Sequence, residues 1–187
     1  MKPQIYHVDA FTGDPFRGNS AGVVLHADTL SDAQMQLIAR ELRHSETAFL
    51  LKSEESDVRI RYFTPTVEVP ICGHATVAAH YVRATVLGLG NTTVWQTSLA
   101  GRHRVEIGIV EDPVTGNANG PMGAWLVHHG LMAHDGKTLQ IQGHQGRALG
   151  KEGTVDVTVT IRDNQPENVT ISGQAVILFH AEWAITF

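Results

Sequence analysis

Short alternations of apolar and polar residues run along most of the chain, broken by two denser apolar stretches. Ile5 to Val8 alternates as a strand does, and Ala21 to Leu25 is a compact apolar run. Between them lies a glycine-bearing turn from Thr12 to Ser20. Ser31 followed by Gln34 has the spacing of a capping box, with Met35, Ile38, Ala39 and Leu42 recurring at helical intervals behind it. This predicts a helix opening after Ser31. Thr47 to Leu51 and Val58 to Phe63 are β-rich runs around the polar stretch 52–57, the pattern of a hairpin. Pro65 to Gly73 reads as a loop.

The two dense stretches are of another kind. From about His74 to Leu87 small and apolar residues cover nearly every side of a predicted helix, which implies burial within a β layer. Asn117 to His129 repeats the pattern. Thr92–Thr97 and His103–Ile107 predict a hairpin about Ala100-Gly101. Further strands are expected near Leu139–Gln142, Val155–Ile161, Val169–Ser172 and Ala175–Trp183. The class is α+β.

An internal likeness links the dense stretches. Val67-Glu68-Val69-Pro70-Ile71-Cys72-Gly73-His74-Ala75 can be laid on Val110-Glu111-Asp112-Pro113-Val114-Thr115-Gly116-Asn117-Ala118, with five of nine positions identical. This points to a duplicated unit. In each copy proline ends a strand and glycine turns the backbone into a helix start. Unpaired N–H groups at helix starts attract anions. Two such corners facing one cleft would hold a small carboxylate without metal or cofactor.

Composition narrows the field. With 187 residues, one domain or two small ones are expected. The net charge of −5 offers no basic excess for nucleic acid. A single cysteine excludes an internal disulfide or a multi-thiolate zinc site. No apolar run is long enough to span a membrane, and the first residues do not read as a secretory signal. The expected location is therefore the cytoplasm. The 11 histidines show no HExxH pattern, and His128 and His129 are adjacent, so no metal site is expected. Gly88-Leu89-Gly90 and Gly150-Lys151 both lack nucleotide-loop spacing. Arg17, Arg59, Arg61 and Arg147 could pair with a substrate carboxylate or simply be solvated.

Four stretches carry a family resemblance: Val8-Asp9-Ala10-Phe11-Thr12 with Pro15-Phe16-Arg17-Gly18-Asn19; His44-Ser45-Glu46-Thr47-Ala48-Phe49; Phe63-Thr64-Pro65 with Val69-Pro70 and Gly73-His74-Ala75-Thr76; and 108–118. The chain resembles the PhzF family of phenazine-biosynthesis-like isomerases, in its YddE-like branch and within the diaminopimelate-epimerase fold group. The resemblance implies two similar domains, each a β layer around a central helix, here 1–107 and a partial second domain 108–187. It implies a cofactor-independent isomerase acting on a small carboxylate-bearing substrate between the domains. Glu46 would be the acid/base, flanked by His74 and Asp112. Gly73, Gly116, Asn117, Asn19 and Ser20 would bind substrate. Thr115 stands where two-thiol racemases of the fold group need their second cysteine, so Cys72 reads as a small buried filler.

Family members are longer. Here Val105-Glu106-Ile107 runs almost directly into Gly108-Ile109-Val110, where relatives have the linker and the first half of the second domain. The alternative to catalysis is thus a non-catalytic remnant that binds a small acid or a protein. A half-covered second helix would expose Met122, Trp125 and Leu126, so a homo-oligomer is expected. Gel filtration at low concentration should show an oligomer; a stable, well-folded monomer would remove that expectation.

Overall fold

A computed structural model of the chain describes residues 3–107 and 119–182. The elements are β1 (Gln4–Ala10), β2 (Asn19–Leu25), α1 (Asp32–Leu42), β3 (Thr47–Leu51), β4 (Val58–Phe63), β5 (Glu68–Val69), α2 (Gly73–Leu87), β6 (Thr92–Ser98), β7 (Gly101–Ile107), α3 (Asn119–His128), β8 (Thr138–Gln145), β9 (Gly153–Arg162), β10 (Gln165–Ser172) and β11 (Ala175–Glu182). The larger sheet has the order β11-β1-β2-β3-β4-β6-β7, with β5 paired to β4; a smaller sheet has the order β10-β9-β8. The β2–β3 and β4–β6 pairings are parallel and the others antiparallel.

Strand alternation decides how the larger sheet is used. Tyr6, Val8, Ala21, Val23, Ala48, Leu50, Ile60 and Tyr62 point into one cluster with α2. The intervening Ile5, Val24, Phe49 and Phe63 point to the other face, where α1 supplies Met35, Ile38 and Ala39. Ala75, Ala78 and Ala79 are fully buried and let α2 lie close against β1, β2, β3, β7 and β11. The expected burial of this helix in a β layer is found for its first part, whereas Tyr81, Val86 and Leu87 are exposed. The capping box also forms: Ser31 Oγ accepts from the Gln34 amide at 3.3 Å, and Gln34 Oε1 accepts from the Ser31 amide at 2.7 Å.

Several expectations shift. Asn19 and Ser20 lie on β2 rather than in the preceding turn. The 65–73 segment contains the short β5. Gly73 is the first residue of α2 and has no positive φ, so the corner there does not need glycine's left-handed freedom. Arg61 is held by Glu68 at 2.7 Å and Asp32 at 2.5 Å, an ion-pair cluster that bridges α1 to β4 and β5.

The last strand, β11, lies beyond the expected boundary at residue 107 yet pairs antiparallel with β1 in the larger sheet. The smaller sheet carries α3 on one face. Gly120 lies against Val169 and Ile171, and Gly123 against Val157 and Val159. Val127, Leu139, Val157, Val159 and Ile161 belong to the same buried cluster as α2, so one core joins both sheets. Met122 and Trp125 are exposed as expected, whereas Leu126 is half-buried against that core.

The two sheets also meet through backbone. A Cβ at Gly153 would lie 2.9 Å from the Phe11 carbonyl oxygen, so the start of β9 presses on the loop after β1. Gly18 closes that loop with φ 64°, and a side chain there would overlap the Ala10 carbonyl oxygen. Gly88, at φ 65°, has open space around it. Gly18→Ala should therefore cost about 2–3 kcal/mol in urea unfolding, against about 1 kcal/mol for Gly88→Ala. Equal losses would show that conformation alone, without the steric overlap, sets the cost.

Candidate functional site

The loop from Phe11 to Gly18 is shaped by a buried carboxylate. Asp9 accepts from Ser20 Oγ at 2.6 Å and from the Phe16 amide at 2.9 Å. His7 Nε2 lies 3.7 Å from the same group. Phe11 and Phe16 both sit in the left-handed region, at φ 72° and 67°, a conformation that surrounding structure must impose on bulky side chains. Phe11 is buried, and its ring stands 6.5 Å from that of His74. A cleft of about 350 Å³ opens beside it, lined by residues including Thr12, Arg17, Glu152, Thr154 and Gln174.

Beneath Phe11, two elements converge. The parallel pairing of β2 with β3 places Ser20 and Glu46 at the same end of neighbouring strands, and the Gly22 amide donates to the Glu46 carbonyl at 3.3 Å. The N-terminus of α2 comes to the same point. Glu46 Oε2 lies 3.4 Å from His74 Nε2, and Ser45 Oγ lies 3.3 Å from the same nitrogen. On the other side of the ring, Cys72 Sγ is 3.3 Å from Nδ1. One donor atom from each of Glu46, Cys72 and His74 falls within 4.8 Å of the other two.

Protonation follows from burial. Loss of solvent pushes the Cys72 thiol up to about 12, against the pull of the Ala75 and His74 amides, with the Glu46 charge adding to the rise. The thiol therefore keeps its proton, with the Glu46 carboxylate and His74 Nδ1 both within its reach. Burial lowers His74 below its ordinary value, with Glu46 opposing, so the ring is neutral near pH 7. The ring proton then sits either on Nδ1, toward the Cys72 sulfur, or on Nε2, toward Glu46 and Ser45.

A second polar chain holds the helix start from below. Thr76 Oγ1 donates to the Cys72 carbonyl at 2.7 Å and pairs with Tyr62 Oη at 2.6 Å. Gln96 Nε2 donates to Tyr62 Oη at 3.3 Å, and His80 Nε2 pairs with Gln96 Oε1 at 2.7 Å. Each link has one consistent direction: His80 to Gln96 to Tyr62 to Thr76 to the Cys72 carbonyl. His80 is thus neutral with its proton on Nε2, and its Nδ1 finds no partner among the described residues. Burial lowers this imidazole to about 4.

Among the residues expected at the site, the structure brings Glu46 and His74 into contact, with Gly73 at the helix start and Ser20 on the adjoining strand. Ser20 is occupied by Asp9 and lies 3.4 Å from Lys151 Nζ. Asn19 begins β2 and is exposed. Asp112, Gly116 and Asn117 lie outside the described residues. Sequence reasoning did not bring in Ser45, the His7–His44 pair, whose ring centroids are 4.6 Å apart, or the Tyr62–Gln96–His80 chain. It placed Cys72 at the pocket as a filler, without its contact to His74. The adjacency of Ser45 to Glu46 and of Cys72 to His74 was the available signal. No helix among the described residues is long and apolar enough to cross a membrane.

The mixed α+β fold, with α2 wrapped in one sheet and α3 laid on another, is shared with known structures. A crystal structure of a Bacillus anthracis phenazine biosynthesis protein of the PhzF family superposes with a TM-score of 0.86 at 24% identity, covering 99% of this chain and 100% of that one. The family of phenazine biosynthesis-like proteins, PhzC-PhzF, matches residues 8–107 and 106–181. The chain belongs to this family. A Salmonella typhimurium protein named uncharacterized isomerase YddE is 63% identical over 297 aligned residues, covering 100% of both chains. Its counterpart of the same name in Escherichia coli K12 is 52% identical over 295, covering 99% of both. Since this chain has 187 residues, at least 110 of the 297 aligned positions have no residue here.

The buried neutral His80 has a pH consequence. Its pKa is 6.5 in the unfolded chain and about 4 when folded, so between these values the unfolded state binds more protons. Stability is then full above pH 6.5 and falls as the pH drops towards 4. Wild type should lose about 2 kcal/mol more than His80→Gln between pH 7 and pH 5 in denaturant titrations. An unchanged difference between the two proteins would assign the acid sensitivity elsewhere.

Proposed function

We propose that the protein is a cofactor-independent isomerase or epimerase that moves a proton on a small carboxylate-bearing substrate, with Glu46 as acid/base. The observation that carries this reading is the half-exposed Glu46 carboxylate 3.4 Å from a neutral His74 at the start of a buried helix. The isomerase names of the YddE relatives support it.

Glu46 takes a proton from carbon next to the substrate carboxylate, or conjugated with it. The C–H electron pair spreads into the carbonyl system. The Glu46 carboxyl exchanges its proton with solvent, and a proton returns from it to another carbon, or to the other face of the first. With its proton on Nε2, His74 anchors substrate oxygen or the Glu46 carboxylate. The positive end of α2 favours the negative charge that develops. The family resemblance adds Asp112, Gly116 and Asn117, which lie outside the described residues, as further substrate contacts, with Asn19 and Ser20 on β2. The two family segments meeting at residues 106–107 support a duplicated architecture whose second half is shortened there.

That shortening favours a second reading. A chain lacking residues at 110 or more aligned positions is a binder of small acids with impaired chemistry. The exposed Met122 and Trp125 then seat a second copy. Deuterium incorporation from heavy water into a panel of amino acids and β,γ-unsaturated carboxylic acids separates the readings. Wild type should exchange at least a hundredfold faster than Glu46→Gln. Equal rates would end the catalytic reading and leave the binder.

A further inference from the structure

We propose that Glu46, Cys72 and His74 form a three-ligand site for a borderline-soft divalent cation of the zinc type. Sequence spacing does not suggest it, because Glu46 is remote from the Cys72-Gly73-His74 corner along the chain. The fold supplies the third ligand by bringing the start of β3 to the start of α2.

The donor set is chemically apt. Thiolate, imidazole and carboxylate are the three side-chain classes that zinc takes, and three protein ligands leave one position open. Bonds of about 2.0–2.3 Å at tetrahedral angles space ligand atoms about 3.3–3.7 Å apart. The sulfur-to-Nδ1 separation of 3.3 Å already has this value. Glu46 Oε2 now faces Nε2, and with the three donor atoms within 4.8 Å of one another the carboxylate must swing by up to about 1.5 Å to join the cation. Glu46 is only half-buried and has the rotamer freedom to do so.

Charge balance favours the ion where it would otherwise be costly to bury. One thiolate and one carboxylate neutralise a divalent cation, and the imidazole remains neutral. On binding, the cation takes the place of the Cys72 thiol proton, which leaves to solvent; the sulfur–metal bond forms as the S–H bond breaks, with no change of oxidation state. The Ala75 and His74 amides at the helix start already face the sulfur and favour its anionic form. If the acid/base reading of Glu46 holds, the bound ion withdraws that carboxylate from proton transfer and acts as an inhibitor. The binding itself does not depend on that reading.

The test uses the full chain and cobalt(II) as the spectroscopic probe, with zinc as competitor. Wild type should bind one cobalt ion with a thiolate-to-metal charge-transfer band that zinc abolishes. Cys72→Ser should lose the band, and Glu46→Gln should weaken zinc binding by more than about tenfold. Circular dichroism checks that each variant is folded; Glu46→Gln, on the half-exposed rim, carries the test if Cys72→Ser is not. Absence of the band in wild type, or wild-type affinity in Glu46→Gln, would overturn the site. Loss of proton exchange in the previous experiment would leave this result untouched.

Discussion

Everything at the candidate site hangs on where α2 begins. The first turns of the helix are buried, through His74, Ala75, Ala78 and Ala79, while its far end is exposed. Its position is set by alanines pressed to the sheet and by one polar tether. Thr76 holds the Cys72 carbonyl, Tyr62 holds Thr76, and Gln96 with His80 hold Tyr62. A buried hydrogen-bond chain of this kind is worth most when every member is satisfied, because each unpaired group in low dielectric carries its full desolvation cost. The unpartnered Nδ1 of His80 is the one loose end, and it is tolerable because the ring stays neutral.

The helix start in turn determines the chemistry. Burial keeps the Cys72 sulfur protonated, the sulfur occupies one nitrogen of His74, and the other nitrogen is left to face Glu46. A residue that looks like inert packing thereby settles which edge of the imidazole is offered to the cleft. Cys72 and Glu46 lie outside any common strand or helix, yet their side chains meet at the His74 ring and Glu46 raises the Cys72 thiol directly. The loop above them is held just as firmly, through the Asp9 carboxylate and the close approach of Gly153 to Phe11.

Legibility in the sequence followed the range of the interaction. The Ser31–Gln34 cap is a local device and was readable from spacing alone. The strands of the larger sheet were readable because burial on both faces makes β2 and β3 near-continuous apolar runs, while the exposed Arg59 leaves β4 alternating. The all-round apolar character of 74–87 announced envelopment, which its first part has, although not which strands provide it. Glu46 and His74 were legible through family motifs, not through physics, since nothing in residues 46 and 74 alone says that they meet. The Tyr62–Gln96–His80 chain joins β4, β6 and α2 and leaves no periodic trace. The same is true of the His7–His44 contact. Asp32 and Glu68 hide their common partner Arg61 for the same reason: their pairing is decided by tertiary placement.

The pairing of β11 with β1 joins to the larger sheet residues that leave the ribosome about 165 positions after their partner, the separation at which Ala10 meets Ala175. Until they do, the outer edge of β1 is an unpaired row of amides and carbonyls, open to any passing strand. The nascent protein can assemble α2 and its neighbouring strands early, but must wait for β11 to seal the seam. Synthesis, not only sequence, therefore orders the assembly, and a ribosome that stalls before that segment would release a sheet with a ready template for aggregation.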